Sequence, residues 1–196
     1  MLPLLLFALA CQEPTEPAPE PAQPDAADGV ADAMALARAN EAATLLAQNL
    51  RSRLQAELAK GDLVAAARAC SDEAQAIAAQ VRGEKQVRVG RSSLRLRNPN
   101  NGGPMWVQTW LQGAGELAEG VTPISEVTDT QDGRVARVIR PIAVEPQCLA
   151  CHGAPEQLDP GIQAILAERY PDDQATGYRA GDLRGALWAE AIVAKP

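Results

Sequence analysis

The apolar positions of the chain change their period along its length. From Ala31 to Leu58 the sequence is rich in alanine, and Leu46, Leu50, Leu54 and Leu58 recur every four residues, which predicts a helix with one apolar stripe. Gly61-Asp62 interrupts it. A second helical period follows over Leu63–Val81, where Leu63, Ala67, Cys70, Ala74, Ile77 and Val81 step by four and three, and Cys70 is expected to face inward. The short break makes the two an antiparallel helix pair or one bent helix. After Gly83 the period drops to two. "QVRVGRSSLRLRN" alternates apolar and polar residues in two short pieces, predicting strand, and "NPNNGG" reads as a loop.

Helical spacing returns with Trp106, Trp110 and Leu117, behind a Pro104 suited to a helix start. "TPISEVTDTQDGRVARVIRPIAV" predicts two strands joined at Asp132-Gly133, a hairpin signal. A short helix near Ile162–Tyr170 and a last strand in "GALWAEAIVA" complete the series. Helices first, then antiparallel strands with a helix between them, define an α+β domain over residues 31–196.

Charge changes this picture only at the front. Residues 12–28 hold five acids and no base, so the net charge of −7 falls to about −2 once that tract is set aside. A nearly neutral domain gives no reason to expect a nucleic-acid partner. The tract is rich in Pro, Glu and Ala and is expected to be an extended linker over residues 12–30. Ahead of it, "MLPLLLFALAC" is too short to span a bilayer but has the length of a secretory apolar region. Its end, Ala-Leu-Ala-Cys, looks like a bacterial lipobox, although Ala8 stands where Leu is usual and no Lys or Arg precedes the run. Residues 1–11 are thus expected to be a lipoprotein signal. Cys11 would carry the lipid, and the domain would be tethered to the periplasmic face of a bacterial membrane.

The chemistry is concentrated in "QCLACHG". Cys148, Cys151 and His152 form a Cys-X-X-Cys-His motif, the attachment signature of covalent haem c. Two thiols three residues apart can bond the vinyl groups on one porphyrin edge, and the following imidazole then lies under the iron. His152 is the only histidine of the chain, so a second imidazole from the same chain is excluded. The residues leave the sixth position open. Cys70 and Met105 are equal candidates, Met34, Lys60 and Lys85 stand behind them, and five-coordinate iron is a further option. A cysteine on an apolar helix face is also commonly a small core residue.

"RSSLRLRNPNN", "CLACHG" and "RYPDDQATGYRAGDLRGALW" together resemble the Tll-like c-type haem-binding domains, over roughly residues 35–193. The most specific parts are Arg97–Asn100, the haem motif with Gly153, and Gly177, Tyr178, Gly181, Asp182 and Gly185. The resemblance implies a PAS-like fold, an antiparallel sheet with long N-terminal helices. It also implies His/Cys ligation, with Cys70 in the position of the cysteine.

Six basic residues between Arg82 and Arg97 are, on their own, what the solvated face of strands looks like. Read toward haem, Arg95 or Arg97 would pair with its propionates, Trp106 would be core or line the pocket, and Tyr178 would donate to a propionate. The function expected is a redox or diatomic-gas sensor that passes its signal to a separate protein partner. Single-electron transfer is the alternative. Peroxidase or reductase chemistry needs distal acid–base groups that a chain with one histidine is poorly supplied with.

Overall fold

The computed structural model describes residues 26–194. Helix α1 (Ala26–Leu58) begins inside the stretch expected to be linker, and its 33 residues run about 50 Å. Its buried face is carried less by the leucines than by Ala35, Ala39, Ala42 and Ala43, which are fully buried together with Leu46. Alanines let the helix axis come close to the sheet. Leu50, Leu54 and Leu58 are only half-buried, in the C-terminal part of the helix.

Helix α2 (Leu63–Lys85) is antiparallel to α1 in a helix pair, as one of the two readings anticipates. Asp62 caps it by accepting from the Ala65 N–H at 2.8 Å, and Gln86 ends it in the left-handed region. Arg53 of α1 ties the two helices together, donating to both carboxylate oxygens of Glu73 at 2.6 and 2.7 Å.

Four strands follow: β1 (Arg88–Ser92), β2 (Ile124–Thr130), β3 (Gly133–Ala143) and β4 (Leu183–Ile192). They form one antiparallel sheet in the order β1-β4-β3-β2. The α+β class and the antiparallel sheet behind long N-terminal helices are those expected. β2 and β3 make the anticipated hairpin, with Thr130 opposite Gly133. Strand structure ends at Ser92, short of the expected Asn98. There the Ser93 hydroxyl donates to the Arg184 carbonyl at 2.8 Å and accepts from the Arg95 N–H at 3.1 Å, which turns the chain away from the sheet.

Alternation assigns the two faces. Val89, Ala136, Val138, Ala189 and Ala191 pack on α1 and α2. Ile139, Ala186 and Trp188 pack on the opposite side against Val107 and Leu111 of α3 (Met105–Ala114). Pro104 stands one residue before α3, and Leu117 lies beyond its end in a bridge to Asp182. The haem-like motif forms a single turn, α4 (Leu149–His152), just past the end of β3. Helix α5 (Pro160–Arg169) returns to pack on α2, burying Leu158, Ile162 and Leu166 against Val64 and Ala67.

Candidate functional site

The motif turn is held by a loop from far along the chain. The N–H groups of Gly177 and Tyr178 donate to the carbonyls of Gly153 and His152 at 2.7 and 2.9 Å. The His152 Nδ1 lies 2.7 Å from the Ala175 carbonyl. A carbonyl only accepts, so Nδ1 carries the proton and Nε2 keeps its lone pair for a metal. His152 is half-buried. Burial, then Arg97 and Arg184, and lastly Arg91, push its pKa down to about 3, against a partial offset from the Ala175 bond. The imidazole is therefore neutral at ordinary pH, the form that binds a metal.

Arg97 fastens the holding loop to the motif. Its Nε donates to Asp173 at 3.0 Å, and its Nη2 donates to the carbonyls of Cys151 at 2.6 Å and Ala175 at 3.2 Å. The second oxygen of Asp173 accepts from the Ala175 N–H at 2.8 Å. Arg95 does similar work one step along, donating to the carbonyls of Gln174 and Thr176 while its guanidinium lies 4.1 Å above the Tyr178 ring. Tyr178 is buried and stands edge-on to His152, with ring centres 6.2 Å apart.

The structure thus places Arg95, Arg97 and Tyr178 beside the motif, as positioning groups for the loop that orients His152. Trp106 is elsewhere. It packs with Trp188 in the cluster between α3 and the sheet, 6.1 Å from it in an edge-on pair, beneath the guanidinium of Arg137. No motif residue belongs to that cluster, because α3 covers the face of the sheet opposite α2.

Cys70 corrects the inward placement expected from its period. The buried residues of α2 are Ala66, Ala69, Ala74, Ala78 and Val81, while Val64 and Ala67 turn to α5, and Cys70 opens between the two stripes. The residue is exposed, and desolvation of its thiol raises its pKa. Arg91, Arg97 and Arg53 act in the opposite sense, toward thiolate. Cys151 packs into the same cluster as Ala67, one helical turn from Cys70, and its thiol pKa is raised by burial and, to a lesser degree, by Cys70. The competing Met105 is exposed at the start of α3, and Met34 is exposed on α1. Lys60 is paired with Glu57 and Lys85 with Glu41. Cys11 lies outside the described residues.

Two arginines that sequence reasoning did not single out carry the unspent charge. Arg184 is the extra residue of a β-bulge, since Gly185 pairs with Ile142 and Leu183 with Ala143. A bulge re-aims the side chain it carries. Here the guanidinium lies 5.4 Å from the Tyr178 ring and is felt by His152. Burial lowers the pKa of Arg184, and burial also lowers that of Arg91, which has neither a carboxylate nor a hydrogen-bond partner among the described residues. The bulge needs glycine next to it: at Gly185 φ is +154°, and a Cβ would stand 2.2 Å from the Ser92 carbonyl.

These features fit a haem. Two half-buried thiols flank one helical turn, a neutral imidazole is oriented by its Nδ1–H, and the half-buried guanidiniums of Arg91 and Arg184 have no carboxylate partner among the described residues. No cluster of three or more His, Cys, Asp or Glu side chains suited to a bare metal ion occurs among the described residues.

A model of the Tll0287-like family, described as Tll0287, matches residues 25–190. Among solved structures, the crystal structure of the cyanobacterial heme-protein Tll0287 is similar, with a TM-score of 0.51 and 26% sequence identity. The match covers 65% of this chain and 73% of that one. No curated protein matches the chain.

Proposed function

We propose that this chain, which belongs to the Tll0287-like family, holds one covalent haem c on Cys148 and Cys151, with His152 and Cys70 as axial ligands, and senses redox state or a diatomic gas. Haem binding as such agrees with the family and with the similar haem protein. The single observation that carries the ligand pair is the packing of the motif against α2. Cys151 of the motif packs with Val64 and Ala67 of α2, one turn before Cys70, so helix and motif face one another, and Arg91 and Arg97 act on both the Cys70 thiol and the His152 imidazole.

When bound, the haem would supply an iron whose ferric form favours an anionic thiolate and whose ferrous form favours neutral donors. The chain's own residues set the two sides differently. His152 is locked by Ala175 and by the loop that Arg97 clamps. Cys70 has no such lock: it is exposed between two packed stripes, and burial favours its protonated form against the pull of the arginines. A ligand pair with one fixed and one releasable member is suited to a switch. Lipidation at Cys11, a periplasmic location and a separate signalling or redox partner belong to the same proposal, and they rest on the first eleven residues and the tract that follows.

Absorption and electron paramagnetic resonance of ferric and ferrous holoprotein, wild type against Cys70→Ala, test the ligand. A low-spin thiolate signal that vanishes in the variant is expected, and unchanged spectra would refute Cys70. If the ferrous wild type stays six-coordinate and ignores carbon monoxide, electron transfer replaces sensing. For the tether, Cys11→Ser is expected to release the protein from the membrane fraction.

A further inference from the structure

A cavity of about 320 Å³ lies at the β1 edge of the sheet, between α2 and the turn at Pro99–Asn101. Gly90 and Trp188 form part of its wall: a Cβ at Gly90 would meet the Trp188 ring at 2.9 Å, so glycine lets the indole lie close to the strand. Its polar lining is one-sided. Arg82 and Arg91 supply positive charge, Gln75, Asn100 and Asn101 supply amides, and no lining residue is acidic.

Two of the lining residues have unspent hydrogen-bonding capacity. The buried Trp188 Nε1 has no acceptor. Arg91 has no hydrogen-bond or carboxylate partner among the described residues. By accessible area Arg91 is half-buried, but enough protein surrounds its head to depress its pKa. A guanidinium kept charged against that penalty, without an internal counter-ion, is an arrangement that an anionic ligand would complete.

We propose that this cavity is a carboxylate seat, in which the Arg91 guanidinium takes the carboxylate as a two-pronged fork, with Gln75 and Asn101 on its flank. The Gln75 Nε2 donates to the Asn101 Oδ1 at 2.8 Å, which fixes both amides at the rim. The seat also gives the Pro99–Asn101 turn a function, since Asn100 and Asn101 line the cavity. Two sources supply this chemistry. One is a propionate of the covalent haem, which rests on the haem reading above. The other is a small free carboxylate, which does not.

The experiment uses purified holoprotein as wild type, Arg91→Met and Arg91→Lys. Covalent haem is first confirmed by staining after denaturing electrophoresis. Its absence from the wild type would overturn the haem reading and leave the free-ligand arm to decide the seat. Acetate and succinate are then titrated by calorimetry. A free ligand gives saturable binding that weakens about tenfold or more in Arg91→Met and is partly kept in Arg91→Lys. A haem propionate gives no binding of added carboxylate. Instead, the propionate bending band in the resonance Raman spectrum shifts in Arg91→Met and returns toward wild type in Arg91→Lys, a rescue that general loosening would not produce. If Arg91→Met fails to accumulate, Arg91→Lys alone decides, because loss of the fork must still weaken binding or move the band. The proposal is overturned if no carboxylate binds and the band is the same in all three proteins. It is equally overturned if binding occurs but is indifferent to Arg91.

Discussion

Replacing Asp173 by alanine should release the loop that orients His152. Asp173 is the only carboxylate paired with Arg97 among the described residues, and their side chains are 9% and 14% exposed, so water screens the pair weakly. Removing one member of a buried pair costs about 3–5 kcal/mol. Arg97 retains the carbonyls of Cys151 and Ala175, which places the expected loss near the bottom of that range. The same substitution also removes the acceptor of the Ala175 N–H, worth about 1 kcal/mol. A total of about 3–4 kcal/mol follows. Asp173→Asn keeps the acceptor for Ala175 but not the charge, and should cost about 1–3 kcal/mol. Urea unfolding of the holoprotein, followed by circular dichroism, measures both. In the double variant Arg97→Met/Asp173→Ala no uncompensated charge is left, so its loss should fall short of the sum of the single losses by about 1–3 kcal/mol. Additive losses, or a loss below about 0.5 kcal/mol for Asp173→Ala, would refute the clamp.

Gly185→Ala should separate β1 from β4, since the new methyl would lie against the Ser92 carbonyl at a φ that disfavours side chains, and we expect at least ~2 kcal/mol of destabilisation. A Tm within about 2 °C of wild type would contradict this. In haem-free protein made by Cys148→Ser/Cys151→Ser, acidification should be costly because of His152. Its native pKa of about 3 lies below the ordinary 6.5, so between those values the unfolded chain binds a proton that the native chain does not. Stability from this source is complete above pH 6.5 and is lost as pH falls toward 3, on the order of 3–5 kcal/mol over the whole window. Urea midpoints at pH 7 and 4.5 should therefore differ more with His152 present than with His152→Gln, and equal differences would show that the ring is not buried in its neutral form.

The local order of the chain was written in its periods. Both long helices, the hairpin, α3, α5 and the last strand were legible because each depends on residues close together in sequence. So was the motif, whose chemistry is defined by spacing alone. The single histidine limited the chain to one imidazole before any geometry was known. What the periods concealed were choices between faces. Leu50, Leu54 and Leu58 stood out on α1, yet the buried stripe is alanine, a residue whose presence alone does not say which side is covered. Cys70 shares a period with core residues, but α2 is covered on two sides, by α1 and the sheet and by α5, and the cysteine falls between.

Tertiary structure alone decided how the arginines divide. Arg95 and Arg97 spend their donors on carbonyls at positions 151 and 174–176, a pairing across more than fifty residues that no local pattern encodes. Arg91 has no such partner among the described residues, and Arg184, turned toward the site by a bulge in a long-range strand pairing, makes one hydrogen bond, to the Arg95 carbonyl at 3.2 Å. Trp106 was drawn to the far side of the sheet by the same pairing, which fixes what each face of β4 receives. Spacing could name the thiols and the imidazole proposed to hold a haem. Which cations remain free to meet its carboxylates depends on contacts between distant segments, and these exist only once the chain has folded.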